Sequence, residues 1–348
     1  MRAITISEPG GPDVLQITEE PTPDIAADEV LITVHAAGVN RADLLQRQGF
    51  YDPPAGATLI PGLEVSGTIA ELGSEVTGWK VGDRVAALLS GGGYAESVPV
   101  PAGQLLPVPD SLDLTEAAGL PEVLSTVHSN IVGNANIQAG EWLLVHGGGS
   151  GIGTAAIQIA KHLGVKIAVT VGSERKAEFC RNLGADAVIN YRDEDFVERV
   201  HEICVRPDGS TGADVILDII GAKYLKSNIK ALGTDGRLVI IGMQGGAKAE
   251  LSIASLMQPR KSVAGTTLRA RPKEQKIEIV TEVAARLWPA VISGDIRPII
   301  HETMPLSEAP KAHTALEEGT SIGKVLLIAD ESAPSTKSAS ATKSAQHV

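Results

Sequence analysis

Residues 142–153 have the sequence WLLVHGGGSGIG. Their first five residues form an apolar run that predicts a buried strand, and the glycines after His146 predict a tight turn. From Ile152 onward, apolar residues recur every three or four positions, which predicts a helix with one face packed on a sheet. A glycine-rich turn lets backbone N–H groups approach a pyrophosphate, and the helix N-terminus adds partial positive charge. The stretch therefore predicts a dinucleotide-binding site.

The strand predicted next, at residues 166–171, bears on which dinucleotide is bound. In sites selective for NAD, an acidic residue at the end of this strand binds the adenosine ribose. Here Gly172 and Ser173 follow the strand and leave room for a 2′-phosphate, which Ser173 and Lys176 could hold. The sequence thus predicts NADPH in preference to NADH. Glu174 opposes this prediction, since one rotamer would bring its carboxylate near the phosphate.

The turn departs from the usual glycine fingerprint at one position. Its pattern is Gly148-x-Ser150-x-x-Gly153, with serine at the place of the middle glycine. The Ser150 hydroxyl either donates a hydrogen bond to the phosphate or crowds it, and the sequence leaves both possibilities open. The flanking strand–turn–helix–strand pattern supports dinucleotide binding more strongly than the glycines do alone.

The composition limits the class of protein. The chain has 348 residues, enough for two domains, with 43% hydrophobic and 21% charged residues. Its formal net charge of −12 argues against nucleic acid as a main partner. No apolar run has the length of a membrane span and no signal peptide is evident, so we expect a cytoplasmic location. With only two cysteines, a disulfide framework is not expected.

The chain divides into segments with different patterns. Residues 1–124 hold short β-type runs separated by Gly, Pro and Asp, while residues 125–266 alternate strands and helices and predict a doubly wound parallel sheet. Within it, a helix is predicted near 174–183, and strands are predicted at 187–190 and 237–242. Residues 267–330 are expected to return to the first unit through a helix from 273 that Pro289 bends, a helix at 305–318 and a strand at 324–329. Residues 331–348, rich in Ser, Ala, Thr and Lys, are expected to be disordered.

Several motifs together resemble those of the medium-chain dehydrogenase/reductase superfamily. They are Ala37–Asp43, Pro61–Gly67, Val81–Val85 and the turn at 147–153. The resemblance implies an α/β fold, with a GroES-like β domain plus an inserted Rossmann doubly wound parallel sheet. The zinc alcohol dehydrogenases of this superfamily carry cysteine and histidine where Asn40 and Leu63 stand here. Because Glu64 alone cannot hold a catalytic ion, we expect a zinc-free protein.

Within that superfamily, the chain looks like a zinc-free quinone oxidoreductase of the zeta-crystallin type. The residues at 41–54, 146–153 and 172–176 are closest to the animal tumour-suppressor-inducible quinone oxidoreductase subgroup. This resemblance implies NADPH-dependent reduction of a quinone by hydride transfer without a metal. It also implies a homodimer in which Rossmann edge strands such as 262–267 pair.

The resemblance implies roles for individual residues. Tyr51 is the candidate donor to the quinone oxygen, Asn40 is a candidate contact of the nicotinamide ribose or the substrate carbonyl, and Thr126 is expected near the nicotinamide. Structural roles compete with each: surface packing for Tyr51, loop capping for Asn40, and an ordinary helix hydroxyl for Thr126. Asp43 is expected to brace the loop or begin a helix, in preference to acid–base work, and His128 is the one histidine expected near the cleft. The expected cofactor contacts are Gly148, Gly149, Ser150, Gly151, Ile152, Gly153, Gly172, Ser173, Lys176, Tyr191, Gly242, Met243, Thr267, Leu268 and Lys324.

Two other functions fit the same sequence. A reductase of activated C=C bonds, acting on an alkenal or an enoyl thioester, would use Tyr51 or Asn40 as the donor to the conjugated carbonyl. A cofactor-binding protein with little turnover would keep the dinucleotide site alone. The expected partner is a small quinone or activated alkene, whose identity the sequence does not specify.

Overall fold

The computed structural model describes residues 1–329. The predicted disorder at 331–348 concerns residues outside this range. The described chain builds a two-stranded sheet, a seven-stranded mixed sheet and a six-stranded parallel sheet. The strands are β1 (Arg2–Ile6), β2 (Leu15–Glu19), β3 (Glu29–Gly38), β4 (Glu64–Leu72), β5 (Arg84–Leu88), β6 (Ser97–Pro101), β7 (Leu105–Pro107), β8 (Trp142–His146), β9 (Lys166–Val171), β10 (Ala187–Asn190), β11 (Ala213–Asp218), β12 (Leu232–Ile240), β13 (Ser262–Gly265), β14 (Ile300–Pro305) and β15 (Lys324–Ile328).

The helices of the described residues lie mainly between the strands of the parallel sheet. They are α1 (Arg41–Arg47), α2 (Leu114–Ala117), α3 (Pro121–His128), α4 (Gly151–His162), α5 (Glu174–Leu183), α6 (Phe196–Ile203), α7 (Leu225–Ala231), α8 (Ala254–Met257), α9 (Lys273–Arg286), α10 (Trp288–Ser293) and α11 (Ala309–Glu317). A π-helical turn at Ser129–Asn134 continues α3. None of these helices is both long enough and apolar enough to cross a lipid bilayer.

The parallel sheet has the strand order β10-β9-β8-β11-β12-β13. This order reverses between β8 and β11, which is the switch point where a doubly wound sheet binds its ligand beyond the carboxyl ends of the strands. The turn after β8 lies at that edge. The apolar sides of β8, β9 and β11 are fully buried, as expected for a sheet covered on both faces. The fold class is therefore α/β with a Rossmann sheet, as predicted.

The mixed sheet has the order β14-β15-β3-β4-β5-β7, with β6 paired to β3. Every strand of this sheet except β14 has an antiparallel partner, in the manner of the GroES-like domain that the motifs indicated. β15, from the C-terminal segment, pairs with β3 at Leu326–Gly38. The last described strand therefore lies between β3 and β14 and joins the C-terminal segment to the sheet of the N-terminal strands.

Three predicted elements have different bounds in the structure. Pro289 does not bend the end of a long helix: α9 ends at Arg286, and Pro289 lies in the first turn of the separate helix α10, where its missing N–H costs nothing. The helix predicted at 305–318 is instead the end of β14, a 3₁₀ turn and α11, again with a proline in the first turn. β12 starts at Leu232 and ends at Ile240, earlier than the predicted 237–242.

Candidate active site

The turn after β8 is held by its serine and one close-packed glycine. Ser150 is the N-cap of α4: its Oγ accepts from the Gly153 N–H at 3.1 Å and donates to the Gly147 carbonyl at 2.7 Å. A Cβ at Gly153 would lie 2.4 Å from the Gly147 oxygen, so only glycine fits there. In the structure the Ser150 hydroxyl forms both of these bonds within the turn. Its predicted contact with the cofactor stays a prediction.

The same turn lies between the side chains of two lysines. A Cβ on Gly149 would lie 3.0 Å from Cδ of Lys176, and one on Gly151 would lie 2.7 Å from Cδ of Lys324. The first N–H groups of a helix have no partner within the helix, and α4 presents those of Gly151 and Ile152 at this point. Glycine backbone, helix N-terminus and flanking cations are what a pyrophosphate requires. The residues present therefore fit a dinucleotide.

The end of β9 forms a small polar corner. Ser173 caps α5 by accepting from the Lys176 N–H, and the Tyr191 hydroxyl approaches Gly172 so closely that a Cβ there would lie 2.4 Å from it. The half-buried Lys176 donates to the Gly319 carbonyl at 2.6 Å, and burial lowers the pKa of its amino group. These four predicted residues are thus neighbours.

Glu174 was the residue that opposed the preference for NADPH. In the structure its carboxylate lies on the outer face of α5, paired with Arg181 at 2.7 Å. Both side chains are more than half exposed, so the pair contributes little to stability. The pair matters because it holds the Glu174 carboxylate beside Arg181, further along helix α5.

A buried polar cluster joins the mixed sheet to the dinucleotide turn. The ammonium of Lys324, 5% exposed, pairs with the Glu64 carboxylate at 2.5 Å and donates to Asn40 Oδ1 at 2.6 Å and to the Val39 carbonyl. Asn40 in turn donates to Glu64 at 3.0 Å. The residue before Lys324, Gly323, donates its N–H to the Gly149 carbonyl at 2.9 Å. Asn40 and Lys324, both predicted site residues, are therefore bonded to each other.

Glu122 extends this cluster to Thr126. The Glu122 N–H donates to the second oxygen of Glu64 at 2.9 Å, and its own carboxyl accepts from the Thr126 hydroxyl at 2.9 Å. Burial, with the Glu64 carboxylate nearby, raises the pKa of Glu122 from 4.5 to about 7, against the opposing effect of Lys324. Thr126 is thus the hydrogen-bond partner of a carboxyl group that gains and loses its proton near neutral pH.

Asp43 braces the loop that carries Asn40. One carboxylate oxygen accepts from the Asn40 N–H at 2.8 Å and from the Tyr94 hydroxyl, and the other accepts from Gly62 N–H. Burial raises the pKa of Asp43 to about 6. His313, whose pKa burial lowers to about 3, lies beyond Tyr94 at 3.2 Å. This bracing role is the one that the sequence favoured for Asp43.

Tyr51 reaches across from the β domain to the residues that follow β13. Its hydroxyl lies 2.8 Å from the Thr267 hydroxyl, and the Arg269 guanidinium lies 5.5 Å from the centre of its ring. Arg269 is 3% exposed and donates to Gln46 and to the Ser90 carbonyl. Thr267 therefore contacts the hydroxyl of Tyr51, and Arg269 contacts its ring. Packing on Pro53 and Pro54 alone would not give these two contacts.

The remaining predicted residues lie along the carboxyl edge of the parallel sheet. Gly242 and Met243 follow β12, and Met243 is 59% exposed, so it is not a core residue. Leu268 is partly buried and packs against the hydrophobic core. Thr266, next to Thr267, donates to Asn130 at 2.5 Å. The roles of these residues toward a cofactor stay predictions.

Some residues of the site were missed or misplaced by the sequence reasoning. Glu122, Arg269 and the Glu64–Lys324 pair received no role, although the four-residue spacing of Glu122 and Thr126 on one helix indicates contact. His128, the one histidine expected near the cleft, instead faces α9; burial lowers its pKa, as does Arg286, against the opposing effect of Glu282. His146 is buried and bonded to Thr170 and Asn228, as expected for a structural residue.

Comparison with protein families matches two models along the chain. Residues 26–110 match the alcohol dehydrogenase GroES-like domain, and residues 151–285 match the zinc-binding dehydrogenase model. Among the described residues, no three His, Cys, Asp or Glu side chains come together in a group that could hold a metal ion.

Known proteins resemble the chain over nearly its whole length. A quinone oxidoreductase of Rattus norvegicus is 32% identical over 94% of this chain and 98% of its own. The quinone oxidoreductase of Escherichia coli, solved in complex with NADPH, is 31% identical with a TM-score of 0.82, over 94% of this chain and all of its own. An NAD-dependent alcohol dehydrogenase has 31% identity and a TM-score of 0.81, over 95% of this chain and 100% of its own.

Proposed function

Since the chain belongs to the medium-chain dehydrogenase/reductase family, in its zeta-crystallin-type quinone oxidoreductase branch, we propose that it is an NADPH-dependent quinone reductase. The observation that carries the proposal is the contact of Tyr51 with Thr267. It brings a phenol hydroxyl to the carboxyl edge of the parallel sheet, where ligands of such sheets bind. A polar donor is thereby available at the opposite end of this edge from the phosphate-binding corner.

The cofactor is held at two points along the edge of the sheet. The N–H groups at the start of α4 bind the pyrophosphate, and Ser173, Lys176 and Tyr191 bind the 2′-phosphate of the adenosine ribose. When bound, NADPH supplies a hydride to the substrate. The preference over NADH is supported by the position of Glu174, whose carboxylate is paired with Arg181 and so does not oppose a phosphate in this corner.

At the substrate end, the protein stabilises the oxygen that becomes negative as the quinone is reduced. Tyr51 donates its hydroxyl hydrogen to that oxygen, with Thr267 as its partner until substrate arrives. Asn40 and Lys324 orient each other and would hold the nicotinamide end of the cofactor, which Thr126, fixed by Glu122, would also contact. Holding donors in place before reaction is what lowers the barrier, because no reorientation is needed in the transition state.

Initial rates with a panel of acceptors test the proposal. We expect reduction of ortho- and para-quinones by NADPH, with a higher KM for NADH. Faster reduction of an alkenal or an enoyl thioester would make the chain a double-bond reductase. Tight NADPH binding without oxidation by any acceptor would make it a cofactor-binding protein of low turnover. Either result would overturn the quinone assignment.

We propose further that turnover needs no zinc. Asn40 and Leu63 stand where the zinc enzymes carry ligands, and Glu64 is already bonded to Lys324, Asn40 and the Glu122 N–H. Metal analysis of the purified protein should find no stoichiometric zinc, and dialysis against a chelator should leave the rate unchanged. One bound zinc per chain would contradict this.

We also propose a cytoplasmic location, since both cysteines are free thiols. Subcellular fractionation would test this location.

A further inference from the structure

The β domain contains a cleft of about 780 Å³ that none of the roles above uses. One wall is the loop after Tyr51, another is the segment Ser90–Gly92, and a third is the start of α9. Much of the lining is apolar; its apolar members include Pro54, Ala57, Ile60, Leu89, Val98 and Pro101. The volume is in the range of sites that hold small organic molecules.

Lys276 lies in the wall of this cleft with an unusual electrostatic environment. It is 3% exposed, its ammonium donates to the Ser90 hydroxyl, and it forms no ion pair with any carboxylate between residues 1 and 329. Buried charges in proteins are normally paired, because removing a charge from water is costly. Lys276 is thus a buried cation whose natural counterion is missing from the part of the chain that the structure describes.

Arg269 adds a second buried cation on the other side of Ser90. Its Nε donates to the Ser90 carbonyl at 2.8 Å, while its Nη1 has no hydrogen-bond partner within the described residues. Burial lowers the pKa of Lys276, and repulsion between Arg269 and Lys276 lowers it further. The helix N-terminus of α9 adds further positive potential, since Pro272, its N-cap, provides no side-chain cap and lines the cleft.

The acidic groups that line the cleft have hydrogen-bond partners of their own. Glu29 accepts a hydrogen bond from the Ala26 N–H, and Glu20 accepts from Thr18, both within the N-terminal segment. Lys273, on the rim, is paired with Asp28 at 2.7 Å and is 45% exposed. The unpaired positive charge is therefore concentrated where Lys276, Ser90 and the start of α9 meet.

We infer that this cleft binds a carboxylate with an apolar body, whose head group takes the place of the missing counterion beside Lys276 and Ser90. The ammonium and the hydroxyl bind the carboxylate oxygens, and the proline-rich walls cover the hydrocarbon part. The site is separate from the dinucleotide turn, so such a ligand and NADPH bind at the same time.

Calorimetric titration of the full chain with decanoate, in the presence of saturating NADPH, tests the inference. We expect one decanoate per chain and affinity at least about tenfold above that of decanol, the neutral analogue. The K276Q variant should lose about tenfold or more in affinity for decanoate while its affinity for decanol stays the same. K273Q is the matched control: it removes a rim lysine that already has a partner, and it should change decanoate affinity by less than about threefold.

Several outcomes would overturn the inference. They are the absence of saturable decanoate binding, displacement of decanoate by NADPH, and equal decanoate affinity in K276Q and the unsubstituted protein. Inorganic phosphate binding with the same loss in K276Q would show that the apolar walls play no part. If K276Q fails to fold, the comparison of decanoate with decanol in the unsubstituted protein decides, since equal affinities would exclude a counterion role.

Discussion

Lys176 bears on cofactor choice at the scale of a single residue. Its ammonium is held near the end of β9 by the Gly319 carbonyl, within reach of the corner that Ser173 and Tyr191 form. A hydrogen bond to a charged group contributes about 1.5–3 kcal/mol. We therefore expect Lys176→Ala to weaken NADPH binding by about one to two powers of ten and NADH binding much less, as measured by fluorescence titration. Lys226→Ala, an exposed lysine of the same domain, is the control. Equal losses for both cofactors would exclude this role.

Tyr51 is expected to affect turnover rather than cofactor binding. Removing one donor to a developing oxyanion costs about 100-fold or more in rate in well-studied enzymes. Thr267, the partner of Tyr51, is exposed, so water can reach this point and partly replace the phenol as donor. We therefore expect Tyr51→Phe to lower kcat with a quinone by about 10–100-fold. Thr267→Val keeps the phenol and should lower kcat far less. Unchanged turnover in Tyr51→Phe would rule out the assignment.

Glu122 makes stability depend on pH. Its pKa is about 7 in the folded chain, against 4.5 for the ordinary side chain, so between these values the folded state holds the proton more tightly. Stability from this group is therefore present below about pH 4.5 and is lost as the pH rises toward 7. Glu122→Gln should reduce the fall in unfolding free energy between pH 5 and pH 8 by about 1–3 kcal/mol. Denaturant titration at both pH values measures this, with exposed Glu178→Gln as control. A fall as steep as in the unsubstituted chain would disprove it.

The sequence allowed local contacts of the site to be predicted better than distant ones. Asn40 and Asp43 have the spacing of a capping box, and their bond is visible in the pattern of residues. The Lys324–Glu64 pair joins residues 260 positions apart in the chain, and no periodicity relates them. The two buried cations beside Ser90 are equally invisible in the sequence, because only the folded chain brings Arg269 and Lys276 to the same serine.

At the scale of elements, the turn between β8 and α4 depends on the close approach of Gly153 to Gly147. A methyl group at Gly153 would lie 2.4 Å from the Gly147 oxygen, so the helix must move away from the strand. We expect Gly153→Ala to weaken NADPH binding by at least about tenfold and to lower the melting temperature. Gly133→Ala, where an added methyl would meet no atom within 4 Å, should leave both unchanged. Normal NADPH affinity in Gly153→Ala would mean that the turn tolerates displacement.

Element boundaries were predicted well where periodicity is strong. β9, α5 and β10 have the predicted bounds, since each alternates clearly between apolar and polar residues or has a clear cap. The errors at Pro289 and at 305–318 have one cause: a proline that could interrupt a helix in fact begins one. The N-terminal hairpin of β1 and β2 was missed because its exposed face gives a weak pattern. The predicted domain limits at 124 and 266 stay predictions, and the first falls inside α3.

At the scale of the whole molecule, β13 is an edge strand of the parallel sheet, paired only with β12 on one side. Unpaired strand edges favour pairing with another chain. We therefore expect a homodimer in which the β13 edges of two copies pair. Size-exclusion chromatography with light scattering should give twice the chain mass of 36.1 kDa. A proline at Val263, which removes an edge N–H, should shift the protein toward monomer, and a monomeric unsubstituted chain would refute the expectation.

The late position of β15 has a consequence for how the chain matures on the ribosome. Glu64 emerges early in translation, but its buried charge finds its counterion only when Lys324 has been synthesised. Until then the N-terminal sheet lacks an inner strand and contains an uncompensated carboxylate. The Rossmann unit, whose strands all lie between Trp142 and Gly265, can close first. We therefore expect the nascent N-terminal segment to stay incompletely folded while the middle of the chain folds, with its apolar surface exposed longest during synthesis.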